Sequence, residues 1–439
     1  VLSQFCFYEL VEIRANRESQ GDAWLRFCLT ISELPKVPPM TAAVADLSQG
    51  KPSRFELRIA LTYFAIFMSS GLHLPYFPLW LEYRSLTPTE ISIVLSMPLF
   101  VRVIAAPLVS MLADRSNDRA HILTMCTVLA VVVAAFYFVP FGFVGILAVS
   151  LLLSPPWTSQ VPVADTIALS GVRRYGADFA KMRVWGSISF LLTSFVAGMF
   201  IQRFGEHIIP WALLGALLLA CGMSFIVPRI GKPRRLSPLS DVDIADAGRA
   251  LRRPAFVTFL IATGITQASH AYGYSFSAIY WKSIGIEETV IGAFWSISVV
   301  AEVIMFTCFR RIFGNFHPAK VLMIGSAIAM FRWAVFPLIE PAGLGVGGFL
   351  VVQCLHCFSF ALSFLGMQKM IVLTIPEERG GTAQGLSTFF IGTSLAIATM
   401  ASGPLYAATG IYGFYAMVVL AAIGLFLAVV SLKLERREA

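Results

Sequence analysis

From residue 57 to residue 432 the chain is a succession of long apolar runs, and no other feature restricts its fold so severely. A run of roughly 18 or more apolar residues can cross the hydrocarbon core as a helix, because a helix satisfies its own backbone hydrogen bonds where water is absent. Twelve such segments can be marked, at 57–81, 90–113, 122–140, 143–168, 184–202, 208–227, 255–281, 289–309, 320–339, 345–368, 382–407 and 412–432. Hydrophobic residues make up 57% of the chain and charged residues 13%, whereas a soluble domain carries about 25% charged residues. The expectation is an all-α membrane protein of twelve transmembrane helices.

The sixth and seventh segments are separated by 228–254, a polar stretch containing G-K-P-R-R-L-S-P and D-V-D-I-A-D, and the only long internal loop. It divides the chain into six-helix bundles at 57–227 and 255–432, with a short tail at 433–439. Residues 1–56 mix charge with short apolar patches and show no secretory pattern. Met40 opens M-T-A-A-V-A-D like an ordinary bacterial start, so 1–39 is read as an over-extended translation, with a genuine cytosolic tail as the alternative. The halves also repeat. Arg102–Ala105 (R-V-I-A) in segment two answers Glu302–Met305 (E-V-I-M) in segment eight, and the aromatic end of segment one answers that of segment seven. Parallel repeats about an axis along the membrane normal produce such matches.

A net charge of +8 raises nucleic acid as a partner. The basic residues lie instead in short loops between apolar runs, which excludes a nucleic-acid patch. The seven cysteines have no metal-ligand spacing, and the C-x-x-C of Cys354 and Cys357 lies mid-helix, where small packing residues are expected. No nucleophile elbow or H-E-x-x-H occurs at membrane depth, which argues against an enzyme. No sizeable soluble domain supports a sensor. Neither cofactor nor metal is expected.

Ionisable groups deep in a bilayer are costly, so each calls for a partner or a job. Glu302 lies mid-way along segment eight, Arg332 along segment nine and His356 along segment ten. Arg332 stays charged and needs an acid, a carbonyl or an anion. A buried carboxyl such as Glu302 can load and release a proton, and His356 can do the same or simply hydrogen-bond. Asp165 near the end of segment four and Arg183 at the start of segment five can meet across their hairpin, although Arg183 also reads as a basic anchor. His73 and His270 sit among aromatics and small polar residues in segments one and seven, either lining a cavity or packing. Arg102 divides in the same way between cavity lining and an inter-helix hydrogen bond. After segment two comes L-A-D-R-S-N-D-R, with Asp114, Arg115 and Arg119.

That loop resembles the major facilitator signature G-x-L-x-D-R-x-G-R-K, departing from it at both glycine positions, and implies a conformational latch. Gly71–Leu81 (G-L-H-L-P-Y-F-P-L-W-L), the Asp165–Arg183 spacing, Glu302, Arg332 and Leu355–His356 resemble the lactose permease branch of the major facilitator superfamily. The 3-phenylpropionic acid permease group is closer. It is carried by His270–Trp281, Val299–Phe306, Val351–Phe360, Arg183–Phe190 and Arg332–Trp333, and the likeness spans nearly all of 57–432. The resemblance implies proton-coupled import by alternating access in a bacterial inner membrane. Asp165 and Arg183 would be substrate-side, while Glu302, Arg332 and His356 would serve coupling and binding. Ser359 stands where the lactose permease motif has a glutamate, and Phe190 where a tryptophan stacks the sugar. Those departures turn the expectation from a galactoside toward an aryl-alkanoate such as 3-phenylpropionate, with the proton on Glu302 or Asp165. Phe77, Phe190, Tyr272 and Tyr274, with His73 and His270, are the candidate lining for the ring. Arg183, ahead of Arg332, is the candidate clamp for the carboxylate. A sugar or nucleoside symporter, or an exporter, is the alternative. The chain is expected to act as a monomer, with solute, proton and lipid as its partners.

With the N-terminus in the cytoplasm, twenty-one of the twenty-four loop and tail Lys/Arg from segment one onward face inward, and only Arg84, Arg203 and Lys282 face out. Excess Lys/Arg marks the cytoplasmic side. Single cysteines at Arg84 or Lys282, in a cysteine-free background, should therefore react with an impermeant thiol reagent from outside, and one at Arg235 should not. The reverse labelling would invert the topology.

Overall fold

The computed structural model describes residues 51–116, 118–231, 250–375 and 380–438, apart from the side chains of Asp114 and Arg173. The expected start at Met40 and most of the 228–254 loop lie outside these residues. Each of the twelve apolar segments falls on helical backbone, and the described residues contain no strand. Ten helical stretches among them are long and apolar enough to cross a membrane. One of the ten, Thr382–Glu438, is two helices joined by a tight turn at Gly410–Gly413, and the seventh segment stands apart because a two-residue interruption at Ser269–His270 divides it into halves of 15 and 13 residues. The chain is a multi-pass membrane protein of two six-helix bundles.

Segments one, two, five and eight are unbroken helices, at Phe55–Tyr83, Pro88–Arg115, Phe179–Phe204 and Glu288–Phe313. Their starts are marked by local chemistry. The Glu90 amide donates to the Thr87 hydroxyl while the Glu90 carboxylate accepts from the Thr87 amide, a reciprocal cap that satisfies two otherwise orphaned donors. Asp118 caps segment three by accepting from the Ala120 amide at 3.0 Å. Asp178 caps segment five, and the Lys181 amide that donates to it at 3.1 Å holds its carboxyl below the usual range.

Three segments expected to be continuous are not. Segment four is Phe143–Thr158 followed by Gln160–Tyr175. Pro155 and Pro156 lack the amide protons that would continue its ladder, and the helix breaks at Ser159. Segment seven is Pro254–Ala268 followed by Ala271–Ser283. There the Ser269 hydroxyl bonds back to the Thr266 carbonyl at 2.7 Å, and the His270 amide takes the Gln267 carbonyl three residues earlier instead of four. Segment ten runs Gly345–Cys354, then a π-helical turn at Cys357–Ala361, then Leu362–Thr374. Such turns leave backbone carbonyls available to side chains, and they recur at functional positions. A hydrophobic pattern cannot show them, because a break of one or two residues leaves the apolar run intact.

The bundles meet where segment one packs on seven, two on eleven and five on eight. Their contacts lie between mid-depth and the end remote from the basic loops, here the far end. Tyr76 Oη contacts the Ser194 and Glu288 carbonyls at 2.6 and 3.3 Å, so one hydroxyl spans both bundles. Ser92 donates to the Met400 carbonyl at 3.1 Å and Ser296 to the Leu191 carbonyl at 2.9 Å. Lys282 pairs with Glu206 across the same seam. Close approach depends on absent side chains: a Cβ on Gly198 would run into the Glu288 carbonyl, and one on Gly292 into the Ser194 carbonyl. Val103 lies against Gly392 nearer mid-depth.

Gly292→Val should force this seam apart. Overpacking of this kind costs about 1–3 kcal/mol, enough to shift the balance between closed and open far ends by roughly 5- to 150-fold. Labelling of a cysteine at Tyr76 by an impermeant reagent should rise accordingly. Unchanged labelling would show that the seam does not hold the far end shut.

Candidate transport site

Arg332 in segment nine (Pro318–Val335) lies in a cluster built on the broken segments. Its Nη1 is 3.0 Å from His356 Nδ1, its Nη2 donates to Gln353 Oε1 at 2.6 Å, and its Nε donates to the Val352 carbonyl at 3.0 Å. The guanidinium lies 4.1 Å from the Trp333 ring centroid. A guanidinium only donates, so His356 Nδ1 must accept and the imidazole proton must sit on Nε2. That N–H meets Glu302 Oε1 at 3.0 Å. A neutral ring thus bridges a cation and a carboxylate, all three about 95% buried. Gln353 anchors the arrangement to segment eight through the Phe294 carbonyl and Ser298 at 3.3 and 3.2 Å. His270, at the break in segment seven, meets Ser359 Oγ at 3.0 Å in the π turn of segment ten. The two discontinuities are therefore joined directly. Tyr274, Trp295 and His356 line a cavity of about 10 Å³, on the order of one water molecule.

The N-terminal bundle holds a second cluster. Tyr63 donates to Asp165 Oδ1 at 2.6 Å, and Arg183 Nε lies 3.9 Å from the same oxygen. The Arg183 guanidinium also stacks over Phe67 at 4.2 Å. The hairpin encounter anticipated from the sequence is therefore present, with Tyr63 as a third member. Nearer the far end, His73 stacks on Phe77 at 4.3 Å and leans on Trp157 at 4.6 Å, while Trp157 donates to Ser69 at 2.8 Å. Phe190 is buried, with its carbonyl close against Gly71 of segment one. Of the expected latch, Arg119 donates to Ser170 at 2.8 Å and so ties segment three to the end of segment four. Arg115 is exposed, and the Asp114 side chain lies outside the described residues.

Tyr272 does not join Tyr274 around a common cavity. It packs against Phe276, Tyr406 and Phe414 and donates to the Gly410 carbonyl. Two residues on a helix are separated by about 200°, so Tyr272 and Tyr274 face opposite ways.

A family model settles the relationship of a chain with these twelve segments and two buried clusters: that of the MFS_1-like family matches residues 56–417. The chain belongs to the MFS_1-like family. It is 29% identical over 376 residues to the "Probable 3-phenylpropionic acid transporter" of Escherichia coli (strain K12), an alignment covering 84% of this chain and 96% of that one. It is 26% identical to the maltose permease of Geobacillus stearothermophilus, over 64% of this chain and 71% of that one. Among solved structures the nucleoside transporter NupG superposes with a TM-score of 0.73 at 15% identity, covering 87% of this chain and 99% of that one. Family and fold are those of transporters, and the chain is not an enzyme.

Within this MFS_1-like site, sequence reasoning missed Gln353, Tyr63 and Trp157. Gln353 had a usable signal, since an amide three residues before His356 in an apolar run shares its helix face. Tyr63 and Trp157 carried none, because aromatics abound in every segment. The charge balance of the C-terminal cluster is testable by stability. Glu302→Leu leaves Arg332 without its carboxylate and should cost about 3–5 kcal/mol in unfolding experiments in detergent. Adding Arg332→Met should restore most of that loss. A single variant as stable as the parent would mean that the Arg332 charge is balanced elsewhere.

Proposed function

We propose that the chain is a proton-coupled secondary transporter that imports a small organic solute by alternating access, and that the solute is an aromatic carboxylate such as 3-phenylpropionate. The observation that carries the reading is the chain Glu302–His356–Arg332, buried at mid-depth where segments eight, nine and ten meet. Glu302 is the proton carrier. Ionised, it accepts from His356 and balances Arg332; protonated, it leaves Arg332 with an excess positive charge in a medium of low dielectric. Each proton taken up or lost therefore changes the electrostatic energy of the cluster, and a protein with two packings responds by shifting between them. The solute occupies the space between the bundles, beside the aromatic groups around His73 and Phe77 and those around Tyr274. The kinship with the Escherichia coli protein supports the aromatic acid. The basic end faces the cytoplasm, so the zipped far end faces out, and the chain works as a monomer in the inner membrane.

Proteoliposome uptake of labelled 3-phenylpropionate, maltose and a nucleoside, with and without an imposed pH gradient, tests the whole reading. Accumulation of the acid driven by the gradient is the expected result. Gradient-driven uptake of the sugar or nucleoside alone would transfer the function to a neutral solute, and gradient-independent uptake would remove the proton. Glu302→Gln keeps an acceptor for His356 Nε2–H but cannot ionise. It should abolish uphill accumulation while sparing solute exchange. If that variant still accumulates solute, the proton rides elsewhere, with Asp165 next in line.

A further inference from the structure

Of the buried or partly buried Arg102, Arg183 and Arg332, two are engaged. Arg332 gives its donors to His356, Gln353 and the Val352 carbonyl. Arg183, the cation favoured from sequence for the solute, is held by Asp165 and the Phe67 face. Arg102 differs. Among the described residues it makes no hydrogen bond or ion pair, although it lies at the middle of segment two. A guanidinium cannot shed its charge, and holding it at this depth without an anion is costly.

Its position is specific. Arg102 is fourteen residues beyond Pro88 at the start of segment two, and Glu302 is fourteen beyond Glu288 at the start of segment eight. The internal repeat thus sets a cation in one bundle at the depth of the carboxylate in the other. At about 100° per residue, Arg102 projects from the opposite side of its helix to the exposed Ile104 and Met111. It nonetheless retains partial exposure. The adjacent Val103 lies against Gly392 of the other bundle, which sets Arg102 beside the seam. Ser154 donates to the Pro98 carbonyl at 2.8 Å. Segments two and four run parallel, so four residues on from each partner Arg102 is level with the break at Thr158–Gln160. At that level Ser159 Oγ and both amide atoms of Gln160 are buried without a hydrogen-bond partner among the described residues.

We propose that Arg102 is the cation that receives the solute's carboxylate between the bundles, with the polar groups at the segment-four break completing its surroundings. The proposal rests on the aromatic-carboxylate reading above. A guanidinium binds both carboxylate oxygens in one plane, and using Arg102 leaves the Arg183–Asp165 and Arg332–His356 contacts intact.

The test is equilibrium binding of labelled 3-phenylpropionate and of its uncharged amide to the purified full-length protein. Arg102→Gln should weaken the acid roughly 10- to 100-fold, the loss expected for a hydrogen bond to a charged group, and leave the amide unchanged. Arg102→Lys keeps the charge without the planar fork and should fall between. Equal affinity of parent and Arg102→Gln for the acid would overturn the proposal while leaving the carboxylate reading standing. A parent that binds a sugar or nucleoside but no carboxylate would overturn that reading, and this role for Arg102 with it. Should Arg102→Gln fail to fold, Arg102→Cys in a cysteine-free background carries the same question. Modifying that cysteine with a cationic aminoethyl thiol reagent should raise the affinity for the acid and leave the amide unchanged, and no gain for the acid would overturn the assignment.

Discussion

A guanidinium inside a bilayer is the constraint around which this protein is organised. Arg332 cannot be neutralised by losing a proton, and bulk water does not reach it, so its environment has to supply a carbonyl, an amide oxygen, an imidazole nitrogen and, one ring further on, a carboxylate. Those partners come from segments eight and ten. Bringing them to one guanidinium fixes how the helices of the C-terminal bundle pack at mid-depth, and it dictates the tautomer of His356. The same arrangement makes the proton on Glu302 matter: a carboxylate needed to balance a fixed cation cannot change its charge without changing the energy of everything bonded to it.

The helix breaks belong to the same economy. A regular helix uses its carbonyls on its own amides and offers nothing to a neighbour. Where segments seven and ten depart from regularity, His270 and Ser359 meet, and His356 turns toward Arg332. The break in segment four plays a corresponding part in the other half, where Ser159 and Gln160 stand buried and unsatisfied at the level of Arg102. Two bundles of related architecture have thereby acquired unlike centres. One is a hydrogen-bonded chain of Glu302, His356 and Arg332, and the other holds a cation with no partner among the described residues, joined by a far-end seam of glycines and serines that can close without a thick layer of side chains between.

Much of this was legible in the residues, because the bilayer leaves so few options. Apolar length located all twelve segments, and isolated charges within them singled out Asp165, Arg183, Glu302, Arg332 and His356. The spacing of Asp165 and Arg183 permits their encounter, while leaving Arg183 readable as a basic anchor. Errors came where the pattern was degenerate. Tyr272 was grouped with Tyr274 because both are aromatic and close in sequence, although helical geometry sets them on opposite faces. Nothing in the string of letters shows which partners each buried arginine has, so the choice of Arg183 ahead of Arg332 as a carboxylate clamp rests on spacing and family position. Gln353 was overlooked because an amide in an apolar run draws less notice than a charge.

By itself, then, the sequence determined that the chain crosses the membrane repeatedly, that it does so in two related halves, and which ionisable groups must lie within it. The physical reason is that hydrocarbon penalises every unsatisfied polar group, so apolar length and stray charge are read directly as depth. Only the tertiary structure decided which charge answers which, where the helices break and which end of the bundles is shut. Those outcomes depend on the rotation of each helix about its axis and on contacts between residues far apart in the chain, as between Tyr76 and Glu288 or Glu302 and His356. An apolar run carries no record of either, because in a bilayer every face of a helix is permitted to be greasy.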